Sequence, residues 1–251
     1  MSSGARLAGK RIIVTGAARG LGREFVLHLA ALGARVLAAD ISQAGLEETC
    51  KQAEGVEVLP AVIDVSSAGQ TRALAQTARD ALGGLDALVN NAAVVAGLSR
   101  RPFEEIPEEE WDRVLTVNVK GTWLCAAAVA PLLREAGGGS IVNLASEVAF
   151  SGSPGVAHYV ASKSAVIGLT RVLARELGPS QIRVNAIAPG FIPNEGSAAM
   201  LGGAAYDVSA TPLGRLGQPE DLLGALAFLV SDESAFVTGQ TLLVNGGRRF
   251  G

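Results

Sequence analysis

The sequence predicts an α/β fold: a doubly wound, three-layer sandwich on a parallel sheet of seven strands. Three observations predict it. Short apolar runs, most ending in Thr, Asp or Asn, alternate with longer helical patterns along the chain. That is the mark of strands covered on both faces and joined by right-handed crossovers. The 251 residues are 49% hydrophobic and 18% charged, enough apolar side chain for a large core and too ordered a composition for a disordered chain. No linker, repeat or low-complexity segment breaks the pattern, so residues 1–251 are expected to form one domain.

The strands are expected at residues 11–15, 35–40, 57–63, 87–90, 140–145, 183–189 and 241–245. The first helix sets Leu21, Phe25, Leu29 and Leu32 on one face and stops at Gly33. Gly137, Gly138 and Gly139 form the turn before strand five. Residues 190–213 are rich in Gly, Ala and Pro and weakly periodic, as expected of a variable binding segment. The helices around 112–133 and 156–177 are poor in charge: Lys120 stands alone between Arg113 and Arg134, and Lys163 alone between Val156 and Leu169. A sheet covers one side of such helices, so a subunit interface with a second copy of the chain is predicted on the other.

Several partners are disfavoured. The net charge is −3 and basic residues gather in nothing longer than pairs such as Arg248-Arg249, which argues against nucleic acid. The longest apolar run, 121–133, contains Pro131 and falls short of the roughly 18 residues of a membrane span. Residues 1–9 lack the apolar stretch of a signal peptide. Cys50 and Cys125 stand apart without metal-binding neighbours, so reduced thiols, a cytoplasmic location and no metal site are expected.

Strand one runs directly into Thr15-Gly16-Ala17-Ala18-Arg19-Gly20-Leu21-Gly22, which opens the first helix. Glycines allow a tight turn and close backbone approach, and a helix N-terminus offers N–H groups and a positive dipole to a pyrophosphate. The spacing is G-x-x-x-G-x-G, but strand before, helix after and an acid about twenty residues on complete a dinucleotide site. That acid is Asp40, followed by Ile41. Its carboxylate suits the ribose hydroxyls of an adenosine and repels a 2′-phosphate, so NAD is favoured over NADP, although Arg19 pulls mildly the other way. Asp64-Val65 after strand three suits the adenine edge, and Asn90-Asn91-Ala92 after strand four is expected to line the same cleft.

Tyr159 and Lys163 are four residues apart, on one helix face and one turn from each other. A cation beside a phenol favours the phenolate, and proton exchange with an alcohol or ketone near neutrality asks for a pKa well below the ordinary value of about 10.

Taken together, these motifs resemble the short-chain dehydrogenase/reductase family over nearly the whole chain. The matching residues are the Thr15–Gly22 turn, Asp64, Asn90-Asn91-Ala92, Asn118, Ser146, Tyr159 with Lys163, Pro189-Gly190, and the terminal Val244-Asn245-Gly246-Gly247. The resemblance implies a Rossmann-type fold, a homo-oligomer that is a dimer or tetramer, and hydride transfer between a nicotinamide and a substrate carbon. It implies Tyr159 as acid–base group, Lys163 on the nicotinamide ribose, and Ser146 as donor to the substrate oxygen. Asn118 would hold a water that links Lys163 to solvent, and the backbone from Pro189 and Gly190 to Ile192 would hold the carboxamide. Ala93 replaces a common glycine, and Asn194 stands in place of a common threonine that touches the carboxamide, an amide that can still hydrogen-bond.

Glu147, Val148, Phe150, Phe191, Met200 and Tyr206 are candidate pocket residues, and His158 is expected to face either the pocket or an interface. The set is mostly apolar and shows no clear Arg or Lys anchor for a carboxylate, which favours a neutral alicyclic or aromatic secondary alcohol and its ketone. Two alternatives remain. One is a 3-oxoacyl-carrier-protein reductase, opposed by Asp40 and by the uncharged turn 178–181. The other is a dinucleotide-binding regulatory protein without turnover.

Overall fold

The computed structural model describes residues 6–53, 55–193 and 206–250. All seven predicted strands are present: β1 (Arg11–Thr15), β2 (Arg35–Asp40), β3 (Val58–Val62), β4 (Ala87–Asn90), β5 (Gly139–Leu144), β6 (Ile182–Pro189) and β7 (Thr241–Val244). They form one parallel sheet in the order β3-β2-β1-β4-β5-β6-β7. The inner strands are buried on both faces, which is why they read as continuous apolar runs. β3 lies at an edge and accommodates Pro60, whose missing N–H an edge tolerates.

Helices α1 (Gly20–Ala31), α2 (Gln43–Gln52), α3 (Ala68–Leu82), α4 (Glu108–Leu115), α5 (Thr122–Glu135), α6 (Val148–Ser151), α7 (Ala157–Leu177) and α8 (Glu220–Val230) connect the strands. One face of the sheet packs on α3, α5 and the end of α7 through Leu74, Ala78, Val129, Leu133 and Leu177. The other packs on α1, α2 and α8 through Phe25, Leu29, Leu46, Leu222 and Leu226. Of the predicted α1 face, Phe25 and Leu29 are fully buried, and Gly33 ends the segment at φ +90°.

A feature absent from the sequence reading joins α4 to α5. Residues Thr116–Gly121 form a π-helical turn, so Glu108–Glu135 run as one continuous 28-residue helix. By length and composition this helix is apolar enough to cross a membrane, and half of its apolar window is buried inside the fold. π turns are rare and concentrate at functional sites; this one carries Asn118.

Chain order steps outward from β1 to β3, then returns to β4 beside β1. In such sheets the reversal leaves a crevice at the carboxyl ends of the strands.

Candidate functional site

The crevice is a cleft of about 1620 Å³ lined from the glycine turn at one end to Phe191, Tyr206 and Arg248 at the other. Gly16 turns the chain at φ +67°, and a Cβ there would meet Ala92 Cα at 2.7 Å. At Gly22 a Cβ would lie 1.9 Å from the Gly16 carbonyl oxygen, so the turn closes on α1 only without a side chain. Gly20, at φ +54°, has nothing within 4 Å of where its Cβ would be. Arg19, at the N-cap of α1, makes no side-chain cap, and no acid stands in the first turn. The first N–H groups and the helix dipole are thus free for an anion, and the turn fits a pyrophosphate.

Asn91 braces that turn. Its Nδ2 donates to the carbonyls of Thr15 and Gly16, each at 3.0 Å, while Thr15 Oγ1 accepts from the N–H groups of Asn91 and Ala92, each at 3.1 Å. Asn91, Ala92 and Ala93 line the cleft, so the methyl of Ala93 is accommodated. Asn90 points the other way. It is buried, and its Nδ2 donates to Asn143 Oδ1 at 2.9 Å, while Asn143 Nδ2 donates to Thr170 Oγ1 at 2.9 Å. This network ties β4 and β5 to α7 and explains Asn90 structurally.

Asp40 ends β2 on the cleft wall. Its Oδ2 accepts from the Ala18 N–H at 3.1 Å and its Oδ1 from the Ser42 N–H at 3.0 Å, so the carboxylate is clamped between the glycine turn and the start of α2. Arg19, Leu21, Ile41, Asp64 and Val65 also line the cleft, as do Pro189, Gly190 and Ile192. Asp64 Oδ1 accepts from the Ser66 N–H at 2.8 Å.

Ser146, Tyr159 and Lys163 meet in the middle of the cleft. Ser146 follows the end of β5, while Tyr159 and Lys163 rise from the first two turns of α7. The Ser146 hydroxyl lies beside the Tyr159 phenol and acts to lower its pKa. The buried Lys163 places Nζ 5.7 Å from the Tyr159 ring centroid and donates to the Leu144 carbonyl at 2.6 Å. The protonation pattern departs from the expected lowered phenol. Burial pushes Tyr159 up to about 12, with the Ser146 hydroxyl pulling the other way, while burial pulls Lys163 down to about 8. Desolvation outweighs the cation here because it disfavours both charged forms. A phenol held protonated is suited to donate to a carbonyl oxygen.

Asn118 is buried behind the cleft rather than on it. Its Oδ1 accepts from the Val94 N–H at 2.7 Å, and its Nδ2 donates to Ser162 Oγ at 3.1 Å. Both ends of the amide are engaged with protein groups.

Among the pocket candidates, Glu147, Val148, Phe191 and Tyr206 line the cleft. Met200, like Asn194, lies outside the described residues. Phe150 is 37% exposed on α6 and is not part of the cleft wall; α6 is a single turn that carries Phe150 outward as it aims Val148 inward. His158 faces the protein interior. It is fully buried, stacks on Trp111 and pairs through Nε2 with Glu110 Oε1 at 2.9 Å.

The expectation of no basic anchor is corrected. Arg100, Arg113, Arg248 and Arg249 all border the cleft. Arg248 reaches it because Gly246 and Gly247, at φ +64° and +84°, turn the chain back after β7. Its guanidinium lies 4.6 Å from the Tyr206 ring centroid, and Tyr206 in turn stacks on Phe191 at 4.5 Å. The double glycine was the available signal; the distance in sequence hid its target.

Residues 16–249 match the family described as enoyl-(acyl carrier protein) reductase. The chain is 41% identical over 246 residues to the 3-oxoacyl-[acyl-carrier-protein] reductase FabG of Thermotoga maritima, covering 96% of this chain and 98% of that one. It is 38% identical over 250 residues to dehydrogenase/reductase SDR family member 4 of Pongo abelii, covering 96% and 88%. A short-chain type dehydrogenase/reductase from Mycobacterium marinum superimposes with a TM-score of 0.91 at 35% identity, covering 98% and 97%. A 7α-hydroxysteroid dehydrogenase complexed with NADH and 7-oxo glycochenodeoxycholic acid does so with a TM-score of 0.88 at 34% identity, covering 98% and 97%. With its glycine turn, its nucleotide cleft and this likeness along nearly its full length, the chain belongs to the short-chain dehydrogenase/reductase family and is an oxidoreductase.

Proposed function

We propose that the protein interconverts a secondary alcohol and its ketone with NAD(H), on an alicyclic or aromatic substrate. The observation that carries this is the meeting of Ser146, Tyr159 and Lys163 in one cleft with the glycine turn and Asp40. The bound nicotinamide supplies the hydride. Ser146 and Tyr159 grip the substrate oxygen, and Tyr159 passes its proton there in reduction and takes it back in oxidation. Lys163, fixed by Leu144, adds positive charge beneath the phenol and has further N–H donors for the nicotinamide ribose. Asn118 becomes a positioning residue, holding Ser162 and therefore the first turns of α7.

Asp40 supports NAD over NADP, since a clamped carboxylate opposes a 2′-phosphate. The aromatic stack of Phe191 and Tyr206 supports a ring-bearing substrate. A panel of cyclic and aromatic ketones and alcohols, assayed with both nucleotides, tests the reading. NADH-linked turnover that disappears in Tyr159→Phe while NADH binding persists is the expected result. NADH binding with no turnover across the panel would favour a regulatory protein.

A second reading, reduction of a 3-oxoacyl thioester on an acyl carrier, is favoured by the similarity to FabG and by the arginines around the cleft. Preference for an acetoacetyl-carrier thioester with NADPH over every free ketone with NADH would establish it instead.

The exposed sides of α5 and α7 carry Trp123, Ala127 and Pro131, and Ala165, Gly168 and Val172. Such a face supports a homo-oligomer. Light scattering on Val172→Arg, expected to yield smaller particles than the parent, tests it.

A further inference from the structure

We propose that Glu147 recognises a hydrogen-bond donor on the substrate, a hydroxyl or protonated amine on a carbon near the reacting carbonyl, through its Oε2 atom. The proposal rests on the ketone reading above and narrows its substrate class to hydroxy- or amino-ketones and the matching diols or amino alcohols.

Glu147 directly follows Ser146, and both line the cleft with Tyr159. The residue is firmly placed. Its N–H donates to the Pro189 carbonyl at 2.9 Å, which ties it to the end of β6. The side chain is 6% exposed. Oε1 accepts from Tyr206 Oη at 3.0 Å. Tyr206 is itself held, stacked between Phe191 on one side and the Arg248 guanidinium on the other. Arg248 is anchored through its Nη1 on the Asp207 carbonyl at 2.6 Å and Thr211 Oγ1 at 3.2 Å. Burial and the nearby Glu147 charge push the Tyr206 phenol up to about 12, so it stays a donor.

Oε2 has no such partner. It is buried and without a hydrogen bond among the described residues. A buried acceptor left unpaired is unfavourable, more so on a charged group. Oε2 is closed to water in this structure while Glu147 itself lines the cleft, so a ligand donor that reaches it relieves that cost and a ligand lacking one leaves it in place. This is how a polar site discriminates against an analogue missing a single hydroxyl. Glu147 offers only acceptors when ionised, so it selects a donor and disfavours a carbonyl or carboxylate at that position.

Two matched pairs test the proposal: cyclohexanone against 2-hydroxycyclohexanone, and butan-2-one against 3-hydroxybutan-2-one. Each is assayed with NADH for the parent protein, Glu147→Gln and Glu147→Leu. In the parent, the hydroxyketone should be preferred by about 10–100-fold in kcat/KM, the worth of a hydrogen bond to a charged group. The preference should shrink in Glu147→Gln, which keeps one acceptor, and vanish in Glu147→Leu. A parent ratio near one, or a preference unchanged in Glu147→Leu, overturns the proposal while leaving the ketone reading intact. If no ketone is turned over, dissociation constants of the same pairs from the NADH complex, read from nicotinamide fluorescence, decide separately. Tighter binding of the hydroxyketone that depends on Glu147 supports the assignment even as the ketone reading fails; equal constants, or no binding of either, overturn it.

Discussion

Asn118 Nδ2 donates to Ser162 Oγ at 3.1 Å, and Ser162 Oγ donates in turn to the Tyr159 carbonyl at 2.8 Å. The π turn is thereby wired to the helix that carries Tyr159 and Lys163. Asn118→Leu leaves the Val94 N–H without its acceptor and Ser162 without its donor, each loss costing about 1–3 kcal/mol. We expect a lower urea midpoint and a fall in kcat at least tenfold larger than any change in NADH affinity. Unchanged kcat in a folded variant would remove Asn118 from the positioning of α7.

Asp40 has two tasks that a substitution separates. Asp40→Ala removes the negative charge from the adenosine end and frees the N–H groups of Ala18 and Ser42. With Arg19 beside them, these donors suit a 2′-phosphate. The NADPH-to-NADH ratio of kcat/KM should rise by at least about tenfold, at a stability cost of about 1–2 kcal/mol for the lost hydrogen bonds. Initial rates with both nucleotides and one ketone measure it, and a parent enzyme indifferent to the phosphate would count against the carboxylate as the selector.

The seven strands and the glycine turn were legible because their signals are local. A strand buried on both faces must be apolar along its length, and a turn against a helix N-terminus must be glycine at particular positions. The arginines around the cleft were hidden for the opposite reason. Arg100, Arg113 and Arg248 reach it from three distant loops and helices, and nothing near Arg248 names Tyr206 as its neighbour. The polar asparagines divided unpredictably, since Asn90 and Asn91 are adjacent in sequence but serve opposite sides of β4. The Tyr159 and Lys163 spacing correctly put both on one face, yet the protonation balance depends on burial, which spacing alone does not contain.

Two glycines of the same turn should respond differently to alanine. In Gly22→Ala the new Cβ falls 1.9 Å from the Gly16 carbonyl oxygen, a backbone atom that cannot swing aside. The variant should lose several kcal/mol, by order of magnitude for an overpacked core site about 1–3 or more, and bind NADH poorly. Gly20→Ala meets no atom but holds φ at +54°, a strain of about 1–2 kcal/mol. It should stay folded and lose nucleotide affinity chiefly because the methyl enters the cleft. Thermal melts with and without NADH separate the two; equal melting losses would contradict the packing argument.

Lys163 makes stability depend on pH in a definite direction. Burial lowers its pKa from 10.5 to about 8, so between those values the unfolded chain binds more protons than the folded one. Stability from this group therefore rises as pH increases from 8 to 10.5, and is lost as pH falls back through 8. The size is about 3 kcal/mol, from the free energy of a pKa change. Lys163→Met removes the titration. Its other effects, including loss of the bond to the Leu144 carbonyl, shift its stability by a constant. The difference between parent and variant should therefore move in the parent's favour by about 3 kcal/mol across that window. Tyr159, raised by burial to about 12, acts alike in both proteins and cancels. Urea unfolding of the pair at intervals from pH 7 to 10.5 reads the difference directly, and a flat difference would show that Lys163 keeps its ordinary pKa in the fold.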